Sequence, residues 1–219
     1  MDNRPACSIA YEPSAGKFLV CVLDDGSVHL RNNSSRRVSV IQVEGAINVA
    51  VSSDGRTIAI GCLDGLVRLW DWKTRSIVRS LEGFPGPVKL LAFSWSGSSI
   101  VGCSGETLKK LHVSEDSVRP MAITSAPTEV SSIAVGSFKG SEFIMGGLED
   151  GTVQLWSLKH GDLMQTIEIH HGPIISINAN PAVNMFVTAS QNEARLCESL
   201  LSTACYGLMA IPTVGRYNM

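Results

Sequence analysis

The sequence contains no hydrophobic run that could cross a membrane. The longest apolar run near the N-terminus, Phe18 to Leu23, is far shorter than the roughly 20 residues that a transmembrane helix needs. The first residues, Met1 to Pro5, also lack the charged-then-apolar pattern of a secretory signal peptide. We therefore predict no membrane span and a cytoplasmic location, with the nucleus as the alternative.

The sequence also lacks a cluster of basic residues. Its 18 Lys and Arg and 20 Asp and Glu give a formal net charge of -2, and no basic run is longer than the pair Arg36-Arg37. Affinity for a phosphate backbone depends on clustered Lys and Arg. We therefore predict no nucleic-acid partner.

Motifs for nucleotide binding, hydrolysis and metal binding are missing as well. There is no P-loop and no G-x-G-x-x-G, and the segment from Gly102 to Glu106 departs from the G-x-S-x-G motif at its last residue. The pair His170-His171 has no Cys, Asp or Glu beside it at metal-ligand spacing, so a solvent-facing loop explains it better. We predict a protein that is not an enzyme and that has no cofactor and no metal site.

Cysteine spacing gives no sign of a disulfide framework. The six cysteines, at positions 7, 21, 62, 103, 197 and 205, include no C-x-x-C pair. Cys21, Cys62 and Cys103 fall inside apolar strands at positions that are not equivalent. Because disulfides are rare in reducing compartments, we predict buried free thiols.

What the sequence does contain is one strand pattern that recurs about every forty residues. The clearest copy, residues 57–81, reads as strands Ile58 to Leu63 and Val67 to Trp72 joined by the hairpin signal Asp64-Gly65. With Trp70 as marker, the equivalent positions are 31, 70, 112, 156 and 197, separated by 39, 42, 44 and 41 residues. The residues six before these markers are Asp25, Asp64, Glu106, Asp150 and Gln191.

A period near forty, with a hairpin Asp-Gly and a closing Trp-Asp, resembles the WD40 repeat family. Repeats of that family form the four-stranded blades of a β-propeller. The resemblance implies an all-β, WD40-type propeller of about five blades over a WD40 repeat domain, 1-210, followed by a tail, 211-219. The expected blades are 8-44, 46-83, 88-123, 130-169 and 173-210. The dipeptide Gly86-Pro87 recurs 86 positions later as Gly172-Pro173, which supports this register.

In the WD40 family, blades are often pinned by hydrogen bonds between a hairpin Asp, a loop His, a Ser or Thr and the marker Trp. Only part of this set is present here, and buried polar groups of this kind stiffen a fold because they need partners. The resemblance assigns such a structural role to Asp64, Trp70, Asp71, Asp150, Trp156 and His171.

The blade count is lower than usual, because WD40 propellers commonly close with seven blades. Three explanations remain open: a shortened form of a longer protein, a propeller completed by a partner or a second copy, and a small irregular ring. The first two predict open sheet edges, which are prone to pair with other strands. We therefore expect protein partners, with self-association or blade completion through these edges.

The resemblance implies a non-catalytic scaffold or adaptor that mediates protein–protein interactions in a multiprotein complex. The alternative is a substrate receptor of a cullin-type ubiquitin ligase, because the segment from Trp70 to Lys73 looks like the W-D-x-R box, with Lys in place of Arg. A hydrolytic propeller is the third hypothesis. Aromatic residues in turns are common at interaction hot spots. The candidate partner-binding residues are Phe84, Trp95, Trp72 and Lys73.

Overall fold

The computed structural model describes residues 4–113, 121–122, 126–138, 140–180, 185–198 and 205–210. Every regular element among these residues is a β-strand, and no helix occurs in them. The twenty strands form five four-stranded antiparallel sheets, each a simple meander. The prediction of an all-β fold with five four-stranded blades is confirmed.

The chain divides into two compact units, Met1–Ala126 and Pro127–Met219. A single repeat domain over residues 1-210 stays a prediction.

The first unit contains three sheets, ordered β1-β2-β3-β4, β5-β6-β7-β8 and β12-β11-β10-β9. Their strands are β1 (Ala6–Tyr11), β2 (Phe18–Leu23), β3 (Ser27–Asn32), β4 (Val38–Gln42), β5 (Ala46–Val51), β6 (Thr57–Cys62), β7 (Val67–Asp71), β8 (Ser76–Leu81), β9 (Leu90–Phe93), β10 (Ser99–Ser104), β11 (Thr107–His112) and β12 (Met121–Ala122).

The second unit contains two sheets, ordered β13-β14-β15-β16 and β17-β18-β19-β20. Their strands are β13 (Val130–Phe138), β14 (Ser141–Leu148), β15 (Thr152–Ser157), β16 (Leu163–Glu168), β17 (Ile174–Asn180), β18 (Met185–Ser190), β19 (Glu193–Glu198) and β20 (Cys205–Ala210). The tail predicted at 211-219 lies outside the described residues.

Within the first unit, the sheets pack face to face through their first strands, β1 against β5 and β5 against β9. The alternation of side chains in β2 places Phe18, Val20 and Val22 on one face, where all three are fully buried in a shared core with the second sheet. The ring of Trp72 stacks on Phe18 with centroids 4.1 Å apart. Burial of this face is the main attraction between the two sheets.

The second unit repeats this packing with β13 against β17. Its core contains residues of both sheets, including Met145 and Val153, which are fully buried, and Phe186, which is almost fully buried. The ring of Trp156 is fully buried and lies over Gly146, where an added Cβ would come within 2.7 Å of the ring.

The predicted Asp-Gly hairpins are present at Gly65 and Gly151, whose φ angles are 82° and 89°. These angles belong to the left-handed region that glycine tolerates without steric cost. A Cβ at Gly151 would also come within 2.1 Å of the carbonyl oxygen of His170. The hairpin therefore lies directly against the loop that connects the two sheets of this unit.

Candidate interaction site

The first sheet has one face that no other described residue of the first unit covers. Phe18, Val20 and Val22 point toward the second sheet, so the alternate residues of β2, Leu19 and Cys21, point the other way. Residues directly opposite each other in an antiparallel sheet share a face. The strand pairing places Ile9, Cys21, His29 and Val40 in one row and Tyr11, Leu19, Arg31 and Val38 in the next.

We call the apolar part of these rows the open face: Ile9, Tyr11, Leu19, Cys21, Val38 and Val40. Its outer members are strongly exposed, with Ile9 at 63%, Tyr11 at 56%, Val38 at 54% and Val40 at 52%. In the second sheet, the pair Val49 and Ile60 occupies the position that Ile9 and Cys21 occupy in the first. Val49 is only 5% exposed because the first sheet covers it. The same face is thus buried in one sheet and exposed in the other.

Trp95 is a second exposed feature, in the turn between β9 and β10. Its side chain is 61% exposed, in agreement with the predicted position in a loop. The hydroxyls of Ser94, Ser96 and Ser98 bond to one another around it, at 3.1 Å and 2.8 Å. The turn is therefore ordered by short side chains, while the indole faces solvent. Its role in partner binding stays a prediction.

Phe84 is not exposed, contrary to its selection as a loop residue open to a partner. Only 9% of the residue is accessible, and its ring lies against the backbone of Gly102 in the third sheet. The sequence pattern identified a turn correctly but could not show that the neighbouring sheet covers it. Packing between sheets, which was the other explanation for an aromatic residue here, accounts for Phe84.

The segment from Trp70 to Lys73 has a local structural account. Trp70 is 5% exposed, and its ring meets that of Trp72 edge to face, with centroids 6.1 Å apart. The Asp71 carboxylate accepts the N–H groups of Lys73 and Thr74, both at 2.8 Å, and the Arg56 guanidinium at 3.1 Å. The hydrogen bond from Thr74 is the largest cause of a lowered pKa at Asp71. Only the Lys73 side chain points into solvent.

The hairpin aspartates bond within their own turns. Asp64 accepts the N–H of Leu66 at 3.0 Å and pairs with Arg68 at 2.7 Å, and this pairing lowers the pKa of Asp64. Asp150 accepts the N–H and the hydroxyl of Thr152, at 2.9 Å and 2.7 Å. Both aspartates thus hold the chain reversal between two strands, while their marker tryptophans pack in the cores.

A polar network of the expected kind exists in the second unit, but it is built on His170 and not on His171. His170 is 6% exposed, and its two ring nitrogens lie 2.9 Å from Glu193 Oε1 and 2.9 Å from the Thr188 hydroxyl. The bond to His170 is the largest cause of a lowered pKa at Glu193, and Arg195 acts in the same direction. His171 is exposed. Neighbouring loop residues point in opposite directions, and the sequence could not show which one points inward.

The cysteine expectation is partly corrected. Cys62 and Cys103 are buried free thiols, and Cys7 is an exposed free thiol. Cys197, however, is disulfide-bonded, and the residue opposite it in the strand pairing is Cys205. The two cysteines are only eight residues apart in the sequence. The sequence alone does not show that β19 and β20 pair in the register that places them opposite each other.

Two further properties concern the described residues alone. None of their elements is a helix that could span a bilayer. In the same part of the chain, His, Cys, Asp and Glu side chains form no group of three or more that could hold a metal ion.

Comparison with known proteins identifies one of the repeats. The family described as "WD domain, G-beta repeat" matches residues 39–71, the stretch that ends at the Trp70-Asp71 pair. This stretch is a WD40 repeat. The similarity of the chain to known proteins extends well beyond it.

Several curated relatives of this chain are subunit I of eukaryotic translation initiation factor 3. The protein of Neurospora crassa is 29% identical over 163 residues, which cover 68% of this chain and 47% of the relative. The protein of Pyricularia oryzae is 27% identical over 206 residues, which cover 87% of this chain and 60% of the relative. The chain thus spans about half the length of the curated relatives it matches.

A solved structure agrees with the WD40 fold. A chain in a crystal structure of the mitotic checkpoint complex superimposes with a TM-score of 0.76 over 87% of this chain and 59% of that chain. The two sequences are 18% identical, so the likeness shows the fold alone.

One buried residue of the first sheet gives no clear signal in the sequence. Glu12 is 1% exposed and closes the turn between β1 and β2. Its carboxylate accepts the N–H groups of Ser14 at 2.9 Å, Ala15 at 3.1 Å and Lys17 at 2.9 Å, as well as the Ser14 hydroxyl. Burial acts to raise the pKa, but these hydrogen bonds outweigh it and lower the pKa of Glu12 from 4.5 to about 2. The available signal for this role was its position directly before the turn residues Pro-Ser-Ala-Gly.

Proposed function

We propose that this protein is a non-catalytic WD40 scaffold that holds other proteins together in a multiprotein complex. The open face of the first sheet is the observation that carries the proposal. Relatives named as a subunit of a translation initiation factor support a role inside an assembly and a cytoplasmic location. They also support a protein without catalytic activity of its own.

The physical argument concerns the cost of leaving the open face in water. Ile9, Tyr11, Val38 and Val40 are each more than half exposed on one continuous face of the sheet. Contiguous apolar patches of this kind on a protein surface mark interaction sites. Two sheets pack best face to face, as the first and second sheets do here. We therefore propose that a partner protein covers the open face with a sheet of its own, as in blade completion.

The ligase-receptor alternative gains no support. The Asp71 carboxylate is engaged by the backbone of its own turn and by Arg56, and Trp72 is stacked on Phe18. These contacts explain the segment from Trp70 to Lys73 by its structural role within the second sheet. None of the relatives described above is named as a component of a ligase.

The test compares a variant of the open face with a matched rim variant. Ile9→Asp places a charge on the open face, whereas Ile77→Asp places one at a residue that is 45% exposed on the outer strand β8. Tagged wild type and both variants are expressed in cells, captured and analysed by quantitative mass spectrometry, with other initiation-factor subunits among the proteins scored. Circular dichroism melting curves show whether each variant is folded.

We expect a set of proteins that co-purify with the wild type and with Ile77→Asp but are lost with Ile9→Asp. Equal recovery of every protein with all three chains would contradict a docking role for the open face. A catalytic function would instead appear as turnover that purified wild type retains without any bound protein.

A further inference from the structure

We propose that two copies of this protein pair through strand β4, edge to edge and antiparallel, about a two-fold axis at Val40. The pairing would join two first sheets into one continuous eight-stranded sheet. It uses the outward backbone groups of β4, whereas the proposed function uses the side chains of the open face, to which Val38 and Val40 of this strand also belong. The inference therefore goes beyond the proposed function and does not depend on it.

Strand β4 is the exposed outer strand of the first sheet. Among the strands that the structure describes it pairs with β3 alone, and Val38, Ser39, Val40 and Gln42 are all exposed. A regular exposed edge strand is a template on which another strand can add. The pairing of β4 with β3 runs without interruption from Ser27 and Gln42 to Arg31 and Val38.

The corresponding outer strands β8 and β16 are interrupted at the same place. In β8 the register shifts where Trp70 pairs with Ile77, which leaves Val78 as an extra residue. In β16 it shifts where Trp156 pairs with Leu163, which leaves Met164 as an extra residue. Bulges of this kind twist an edge away from further pairing. Among these three equivalent outer strands, only β4 keeps a straight ladder.

The hydrogen-bond pattern shows which groups of β4 point outward. The N–H of Asn32 bonds to the carbonyl of Arg37 at 2.9 Å, so this is a hydrogen-bonded pair. Such pairs alternate along an antiparallel ladder, which makes Leu30 with Ser39 and Val28 with Ile41 the next ones. The N–H and C=O groups of the remaining residues, Val38, Val40 and Gln42, consequently point away from β3 and are open to a second strand.

A two-fold axis at Val40 matches these open groups with each other. Val40 then faces Val40 of the second copy, and Val38 faces Gln42 of the second copy, so outward groups meet outward groups. The isologous arrangement satisfies both chains with one surface patch, as in most homodimers. The two Val40 side chains, each 52% exposed in the single chain, would come into contact as a cross-strand pair.

The charges at the two ends of β4 are complementary in this arrangement. Arg36 precedes the strand and Glu44 follows it, both are exposed, and each is four residues from Val40. The symmetric pairing brings Arg36 of one copy toward Glu44 of the other, twice per dimer. Within the described part of its own chain, neither side chain forms an ion pair. This charge match favours a second copy over an unrelated strand as the occupant of the edge.

The experiment measures the mass of the whole chain by sedimentation equilibrium from about 1 µM to about 1 mM, because a short strand pair predicts a weak dimer. Val40→Pro removes the outward N–H but leaves the β3 ladder intact, since proline is tolerated where the N–H of an edge strand faces solvent. Val40→Thr is the matched control that retains the N–H. We expect concentration-dependent dimers for the wild type and Val40→Thr, and a monomer for Val40→Pro.

Charge variants test the register of the pairing. Arg36→Glu or Glu44→Arg alone should weaken dimerisation about tenfold, because each places like charges together at two sites. The double variant Arg36→Glu/Glu44→Arg restores the pairs with exchanged signs and should recover most of the affinity. Association that tolerates Val40→Pro, or a double variant no better than the single ones, would overturn the proposal.

Amide hydrogen exchange keeps the proposal testable even if the proline variant fails to fold. In the wild type, protection of the Val38 and Val40 amides should rise with protein concentration, while Ser39 and Ile41 stay as they are. A monomer throughout the concentration range also overturns the proposal. Dimers that Ile9→Asp abolishes and Val40→Pro leaves intact would refute the β4 edge while supporting the open face.

Discussion

The ring of Phe84 fills the space in which a side chain at Gly102 would lie. A Cβ added to Gly102 would come within 2.4 Å of Phe84 Cζ. The positions of Phe84 and Gly102 recur two repeats, or 86 residues, later as His170 and Thr188. These two side chains form a hydrogen bond of 2.9 Å. The first unit thus joins its second and third sheets by an aromatic ring over a bare backbone, and the second unit joins its two sheets by a buried hydrogen bond.

Gly102→Ala tests the fit of the first pair. We expect the free energy of unfolding to fall by about 1 to 3 kcal/mol, because the added methyl group overpacks a buried ring. Urea unfolding followed by circular dichroism measures the change. Gly86→Ala is the control, since its Cβ would meet only Ser104 Oγ at an ordinary 3.5 Å. If Phe84→Leu does not reduce the cost of Gly102→Ala, the clash with Phe84 is not the cause.

A double-mutant cycle tests the second pair. Thr188→Val removes the hydroxyl that bonds to buried His170 and should cost about 1 to 3 kcal/mol of unfolding free energy, because a buried ring nitrogen is left without a partner. His170→Phe combined with Thr188→Gly copies the pair of the first unit. The double variant should be more stable than the sum of its single variants by about 1 to 2 kcal/mol. Strict additivity in the same unfolding assay would show that the two positions are not coupled.

The Glu12 turn predicts a dependence of stability on pH. The pKa of Glu12 is about 2 in the folded chain, lower than its ordinary value of 4.5, so the ionised carboxylate stabilises the fold above pH 4.5. This contribution is lost as the pH falls from 4.5 toward 2. Glu12→Gln should lower the unfolding free energy by about 1 to 3 kcal/mol at pH 7 and progressively less within the acid window.

Chemical unfolding at a series of pH values measures this difference between wild type and Glu12→Gln. Glu82→Gln is the control, at an exposed glutamate of the same unit. A constant difference across the acid window would mean that ionisation of Glu12 does not stabilise the turn.

Thiol labelling reports on the core between the first and second sheets. Cys7 is exposed, whereas Cys62 is fully buried, and burial raises the pKa of the Cys62 thiol. With iodoacetamide in native buffer, Cys62 should react roughly 100-fold more slowly than Cys7, because it must wait for the sheets to open. Peptide mapping by mass spectrometry gives both rates. Similar rates at the two positions would mean that the core between these sheets opens readily.

Much of the fold could be predicted because turn residues mark the end of each strand in the repeat. Asp64-Gly65 and Asp150-Gly151 require a reversal of the chain, and glycine alone adopts the angles of those hairpins without strain. Alternating apolar residues such as Phe18, Val20 and Val22 then define the strands between the turns. These are local signals, and each can be read within about ten residues.

The roles of individual side chains were harder to predict because they depend on the neighbouring sheet. Phe84 and Trp95 are both aromatic residues in turns, yet one is 9% and the other 61% exposed. His170 and His171 are identical neighbours, yet only His170 meets Thr188 and Glu193. Nothing within either loop distinguishes these outcomes, since the deciding partners are distant in the sequence.

The sequence by itself determined the strands, the hairpins and the repeat register, because these follow from backbone sterics and from the alternation of apolar side chains. Tertiary structure alone decided which faces are covered. Val49 is buried because the first sheet packs against it, whereas Ile9, at the equivalent position of the first sheet, is exposed. Contact between blades is a property of surfaces that meet in space, so the interaction surfaces of this protein emerge only once the sheets are assembled.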